Sequence, residues 1–265
     1  MSAPIQQSHP MQDDVMITVQ HVSKSFGSHA VLKDISLTVR SGEIVGIIGL
    51  SGCGKSTLLR VIAQLEEPDT GEVQLSSSNY SLVFQYSALF DSLTVFENVA
   101  FSLMEKPDAD YLKKLPPNER KRKKYSRSEL NDIVKEKLRM VGLEEIENQY
   151  PNELSGGMKK RVSFARAIVS NPQILLYDEP TAGLDPIAST VIENYMIKLR
   201  DELGVASVVV THQESTIERA DRLILLHEGE IKWEGAPHEL HTTDNPFAHQ
   251  FATASVEGPM ALEAV

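Results

Sequence analysis

Gly49-Leu50-Ser51-Gly52-Cys53-Gly54-Lys55-Ser56-Thr57 decides how the rest of this chain is read. The stretch fits Gly-x-x-x-x-Gly-Lys-[Ser/Thr], a phosphate-binding loop. Its flanks agree. Glu43-Ile44-Val45-Gly46-Ile47-Ile48 is an apolar run of strand length, and Leu58-Leu59-Arg60-Val61-Ile62-Ala63-Gln64-Leu65 spaces its apolar residues as a helix does. Glycines let backbone N–H groups turn inward around phosphate oxygens, and the start of the following helix adds partial positive charge. Lys55 can reach β- and γ-phosphates, and the Ser56 hydroxyl can hold Mg²⁺. A Gly-rich strand–helix turn that binds nothing is the bland alternative. Both flanks speak against it.

Working outward, the bulk properties exclude several classes. The 265 residues suit one large domain or a core with a subdomain. Hydrophobic content of 41% and charged content of 24% are ordinary for a globular protein. A net charge of −11 argues against nucleic-acid binding through general electrostatics, so no nucleic-acid partner is expected. That charge is uneven: Glu105 to Arg139 holds 12 Lys/Arg against 7 Asp/Glu. One cysteine, Cys53, excludes an intrachain disulfide and fits a reducing compartment. No stretch approaches 18 consecutive apolar residues, so no spanning helix is expected. Met1 to Asp14 is polar, without a signal-type apolar core or transit-type arginines, and is expected to be a flexible leader.

Before the loop, Met16–Val22 and Ile35–Val39 alternate as strands. After its helix, Pro68-Asp69-Thr70-Gly71 reads as a turn into strands at Glu72–Leu75 and Tyr80–Phe84. From Phe90 to about Asn152 the texture turns helical. Thr94 opens one helix, and Ser126 or Ser128 caps a second that runs to a stop at Gly142. Between them lies an insert, about 106–128, with the basic run Arg120-Lys121-Arg122-Lys123-Lys124. This run is read as a solvated insert or, alternatively, as a contact for anionic lipid headgroups. Further on, a strand at Ile174–Asp178, a helix at Pro186–Leu203, a strand at Ser207–Thr211 and a hairpin about Glu228-Gly229 alternate as in a largely parallel α/β sheet. After Pro237 a helix-poor tail of about thirty residues is expected.

Ile174-Leu175-Leu176-Tyr177-Asp178-Glu179 is a buried strand ending in two acids, and its end should emerge beside the phosphate loop. Asp178 can then hold Mg²⁺, and Glu179 can orient or deprotonate the water attacking a γ-phosphate. Leu154-Ser155-Gly156-Gly157-Met158 precedes the helix Lys159–Ser170, so its glycines and the helix start form a second phosphate-binding surface. Ser155 can also serve simply as the helix N-cap. Cys53 sits where the helix start and Lys55 could favour a thiolate, but that loop position is variable in such motifs and redox control is not expected.

At this motif the chain resembles the ATPases of the ABC family, and the resemblance covers Val15 to about Pro237. It implies an α/β P-loop NTPase core with a mainly parallel sheet, a small antiparallel β subdomain and an inserted α-helical subdomain. The implied domain limits are 15–240, with the helical subdomain at about 90–152 and a C-terminal tail at 241–265. Gln85 resembles the Q-loop glutamine that links Mg²⁺ and water to the helical subdomain. Pro180–Asp185 resembles the D-loop, His212 the switch histidine, and Phe26 the aromatic that stacks on adenine. The resemblance thus implies ATP held by Phe26, Gly49, Ser51, Gly52, Cys53, Gly54, Lys55, Ser56 and Thr57. Ser155, Gly156, Gly157 and Asp185 of a second copy would complete the site, so a homodimer is expected. Mg²⁺ would fall to Ser56, Gln85 and Asp178, and hydrolysis to Glu179, Gln85 and His212.

Finer details resemble the Mla/Mce-type lipid-transport ATPases of bacteria and plastids. They are Gln85–Val99 with its Ala88-Leu89-Phe90 and Val95-Phe96-Glu97-Asn98-Val99, the segment Thr211–Ile217, and Asn245-Pro246-Phe247 leading to Gln250-Phe251-Ala252. This implies a membrane permease, an Mce-domain lipid-binding partner, and a place on the cytoplasmic face of the membrane. The lack of a transit-type leader points to a bacterial member. A small-solute importer ATPase and an iron–sulfur assembly ATPase are the alternatives.

Overall fold

The computed structural model describes residues 14–104 and 124–260. The leader to residue 13 and residues 106–123 of the basic insert lie outside the described residues.

Two sheets form the frame. Strands β1 (Val15–Phe26), β2 (His29–Arg40) and β4 (Thr70–Leu75) make an antiparallel sheet in the order β2-β1-β4. The larger sheet runs β5-β6-β7-β3-β8-β9, from β5 (Tyr80–Val83), β6 (Ile174–Asp178), β7 (Ala206–Val210), β3 (Ile44–Ile48), β8 (Arg222–His227) and β9 (Glu230–Gly235). Its first five strands are parallel, and only the β8–β9 pair is antiparallel. Every residue of β3, β6 and β7 is buried. Such continuous apolar runs mark strands covered on both faces.

Strands β1 and β2 run longer than their alternation predicts. The extra length passes through irregularities at His21 and Asp34, non-glycine residues at φ 51° and 55°. Their exposed side chains meet, His21 Nδ1 to Asp34 Oδ1 at 2.8 Å. A bulge resets the inside–outside alternation, so a period-2 reading stops at Val22 while the strand continues to Phe26.

One core lies between the two sheets and includes Ile17, Ile35, Ile47, Leu58, Ile62 and Val208. Helix α1 (Lys55–Ile62) contributes Leu58, Leu59, Val61 and Ile62 to it. A second core covers the other side of the large sheet and continues into the helices. It takes in α2 (Val95–Met104), α3 (Arg127–Met140), α4 (Gly156–Ile168) and α5 (Pro186–Leu203). Helix α3 starts at Ser126, whose hydroxyl accepts from the Glu129 N–H while the Glu129 carboxylate accepts from the Ser126 N–H. This capping box selects Ser126 over Ser128.

The expectation of a helix-poor tail is corrected. After the short helix α6 (Glu214–Ile217) and the hairpin, α7 spans Pro246–Thr253. Asn245 caps it, accepting from Phe247 N at 3.0 Å and Ala248 N at 3.1 Å. Asn-Pro reads as a turn, yet proline at the first helical position is also a helix start. Gln250 folds the chain back over α7, with Nε2 donating to the Met260 carbonyl at 3.0 Å and Oε1 accepting from the Met260 N–H at 2.7 Å.

Candidate functional site: a nucleotide site at the carboxyl edge of the parallel sheet

Sheet order assembles the site. Strand β7 lies between β3 and β6, so the residues leaving all three carboxyl ends are neighbours. The phosphate loop leaves β3, Asp178 ends β6, and His212 follows β7. The Ser56 hydroxyl donates to Asp178 Oδ1 at 3.0 Å, across 122 positions of sequence. That contact joins two of the three candidate Mg²⁺ ligands, both hard oxygen donors of the type the ion requires. Lys55 Nζ donates to the carbonyls of Gly49 and Leu50, each at 2.8 Å, holding the ammonium across the loop.

Two of the loop's glycines are demanded by packing. A Cβ on Gly49, at φ 144°, would lie 2.1 Å from the Leu226 carbonyl oxygen. One on Gly54, at φ 108°, would lie 2.8 Å from the Val31 carbonyl oxygen. The loop is therefore pressed between β8 and β2 as well as open to a ligand. An open cleft of about 720 Å³ beside it is lined by Val31, Lys33, Ser51, Gly52, His227 and Glu228, among others. Phe26 closes the β1–β2 hairpin near this cleft's strands; its ring is half exposed, with Lys24 Nζ 5.3 Å from the centroid.

Glu179 is the strained residue of the site. It sits at φ 48°, a left-handed conformation that a glutamate adopts only when its surroundings enforce it. Its N–H donates to the Val210 carbonyl at 2.9 Å. Side-chain Oε1 lies 2.8 Å from His212 Nδ1. Oε2 is buried and accepts no hydrogen bond among the described residues. A buried carboxylate oxygen left free in this way can accept from a water molecule. Lys160 of α4 donates to the Ala182 carbonyl beside it. Burial pulls the Lys160 ammonium below its ordinary pKa, while the Glu179 charge opposes that shift.

Cys53 does not take on the thiolate character that its position could favour. Its side chain is buried, and burial pushes the thiol up from its ordinary pKa, outweighing the Lys55 charge that favours the thiolate. Sequence position suggested the charge; only the fold reveals the desolvation.

Ser155, Gly156 and Gly157 stand apart from the phosphate loop in sequence and open α4. The Ser155 hydroxyl caps that helix by accepting from Met158 N at 3.2 Å. Ser155 and Gly156 are exposed. Asp185 is likewise a helix cap, its Oδ1 accepting from Ile187 N at 3.0 Å and Ala188 N at 2.9 Å. Gln85 leaves β5 next to β6 and is exposed. The structure thus brings Ser56, Asp178, Glu179 and His212 together and leaves Ser155, Gly156 and Gln85 exposed.

Two supporting residues escaped the sequence reading. Arg166 of α4 donates to the Ala88 carbonyl at 2.8 Å and the Ser87 carbonyl at 3.2 Å, fastening the segment after Gln85 to the helix behind Ser155. Asn98, fully buried, accepts from Phe90 N at 2.8 Å and donates towards the carbonyls of Phe90, Leu93 and Thr94. An Asn in the apolar run Val95–Ala100 was the available signal.

Comparison with known proteins agrees with this geometry. Residues 32–182 match the ABC transporter family model. The chain is 45% identical over 278 residues to the chloroplastic protein Trigalactosyldiacylglycerol 3 of Arabidopsis thaliana, covering 93% of this chain and 76% of that one. It is 39% identical over 247 residues to the sulfate/thiosulfate import ATP-binding protein CysA of Ralstonia nicotianae, covering 89% of this chain and 63% of that one. Among solved structures it resembles the dimeric, post-hydrolysis ATP-binding cassette MJ0796 bound to ADP and Pi, with a TM-score of 0.74 at 33% identity, over 84% of this chain and 99% of that one. The family match, the relatives and the fold converge: the chain belongs to the ABC transporter family, as an ATP-binding subunit that hydrolyses ATP.

Proposed function

We propose that this ATPase drives a lipid transporter as a head-to-tail homodimer attached to membrane permease subunits. The observation that carries the lipid reading is the 45% identity, along 93% of the chain, to an Arabidopsis protein named for a galactolipid. An Mce-type lipid-binding protein is the third expected partner. Among the described residues no helix is long and apolar enough to cross a membrane, so attachment would run through the permease. The sulfate/thiosulfate import relatives support the competing reading, a small-anion importer.

In this reading each triphosphate lies on Gly49–Thr57 of one copy, with Phe26 stacked on adenine. Lys55 gives up its two carbonyl contacts for phosphate oxygens. Ser56 and Asp178, with Gln85, hold Mg²⁺, which when bound neutralises charge on the transferring phosphoryl group. Glu179 Oε2 takes up the attacking water, and His212 holds Oε1 in place. Ser155–Gly157 and Asp185 come from the second copy. Among the described residues, a Cβ on Gly156 would meet nothing within 4 Å, and one on Gly157 only the Leu184 side chain at 3.6 Å. Packing among the described residues does not require these glycines; close approach of a phosphate and a second copy would.

Purifying the intact complex through a tag on this chain, with identification of its proteins and lipids, tests the reading. A permease with an Mce-domain protein and bound lipid is the expected result. A soluble anion-binding protein, or iron–sulfur assembly proteins, would overturn it.

A further inference from the structure

The buried carboxylate of Glu193 takes no part in the chemistry above. It sits two turns into α5, only 2% exposed. A buried carboxylate needs partners, and all of its strong ones come from one short stretch. Ser215 Oγ and Thr216 Oγ1 donate to Glu193 Oε1 at 2.7 and 2.8 Å. Arg219 Nε faces Oε2 at 3.1 Å, and Arg219 Nη1 donates to the neighbouring Asn194 Oδ1 at 2.9 Å. These donors begin three residues after His212.

The network also has a direction. The Thr216 hydroxyl has one proton and gives it to Glu193, so Thr181 Oγ1, 3.4 Å away, is the donor between the two threonines. Thr181 is fully buried and lies two residues after Glu179. The His212 segment is therefore tied to the catalytic strand end twice. One tie is the His212–Glu179 contact, whose histidine side chain is 64% exposed. The other is the buried line from Thr181 through Thr216 to Glu193. It ends on the helix whose N-cap is Asp185, the residue expected to face a second copy.

We propose that Glu193 is a positioning residue that couples the Asp185 helix to the His212 segment, so that displacement of that helix is transmitted to the histidine. This rests on the roles given above to Glu179 and His212.

The test uses the complete chain in its transporter complex, with Glu193→Gln and Thr216→Val each made alone and on a His212→Ala background. Each single variant should lower kcat about 10-fold, as a small misplacement of a catalytic group does, while KM for ATP stays within about twofold. Thr216→Ser, which keeps the hydroxyl, should restore the rate. On the His212→Ala background the further loss should fall below about twofold, because the residues act as one unit. Losses that multiply fully with His212→Ala would overturn the coupling. So would a lowered melting temperature with kcat per folded molecule unchanged. A wild-type rate in His212→Ala alone would instead overturn the site reading on which the proposal stands.

Discussion

At the scale of single residues, the site is a set of opposed demands on a few side chains. Lys55 is held by two carbonyl oxygens of its own loop, and phosphate oxygens carrying full charge are better acceptors for the same ammonium. Lys55→Ala should therefore weaken ATP binding about 100-fold by equilibrium titration. A loss under threefold would mean that the backbone cradle alone holds the triphosphate. Cys53 shows the opposite balance, with desolvation exceeding the attraction of the lysine. Its folded thiol keeps its proton at pH values where an unfolded thiol releases it. Native alkylation by iodoacetamide at pH 8 should accordingly run at least about 10-fold slower than in guanidinium. By linkage, this group makes stability fall as pH rises above the ordinary thiol range, because the unfolded state then binds fewer protons. Equal alkylation rates in the native and unfolded states would show that the thiol is exposed. Residue identity was legible for Lys55, Ser56, Asp178, Glu179 and His212. The state of Cys53 was not, because burial belongs to the fold rather than to the motif.

At the scale of elements, sequence reading succeeded where one period dominates and failed where a polar atom overrides it. The fully buried strands β3, β6 and β7 and the long helix Pro186–Leu203 were readable from apolar runs and end signals. The extensions of β1 and β2 were not, because His21 and Asp34 break the alternation while hydrogen bonding continues. Helix α7 was hidden behind Asn245-Pro246, a pair that starts turns and helices alike. Glu193 did leave a trace, lying with Ser189 and Met196 on the buried face of α5, but an acid at core spacing names no partner. Asn98 is the element-scale test. Its amide binds the turn Phe90–Thr94 to α2, the oxygen accepting from Phe90 N and the two N–H protons shared among the carbonyls of Phe90, Leu93 and Thr94. Asn98→Ala should cost about 3 kcal/mol by denaturant unfolding, since buried partners are left unsatisfied. Protease cleavage between Tyr86 and Thr94 should rise with it. A change below about 1 kcal/mol would mean that water replaces the amide, and that the turn is not anchored through Asn98.

At the scale of the whole molecule, a site open on one side needs closing. The phosphate loop, Asp178 and Glu179 gather at one sheet edge, whereas Ser155 and Gly156 lie exposed at the start of α4. Asp185 caps α5, and the next residue but one, Ile187, is 80% exposed at the same helix start. The related cassette is dimeric in its solved structures, at 33% and 34% identity. Glu179→Gln keeps an acceptor for His212 but cannot take a proton from water, so it should slow hydrolysis about 100-fold or more. Slow hydrolysis lets ATP accumulate in the closed state, and the ligand then shifts the equilibrium by its extra contacts across the interface. The purified Glu179→Gln chain should therefore sediment as a dimer with ATP and Mg²⁺ and as a monomer with ADP. Adding Gly156→Asp, which places a negative charge where the γ-phosphate would arrive, should abolish that dimer while leaving monomer ATP affinity within about threefold. A Glu179→Gln, Gly156→Asp chain that still dimerised on ATP would put the interface elsewhere. A Glu179→Gln chain that stayed monomeric at every ATP concentration would remove the shared site altogether.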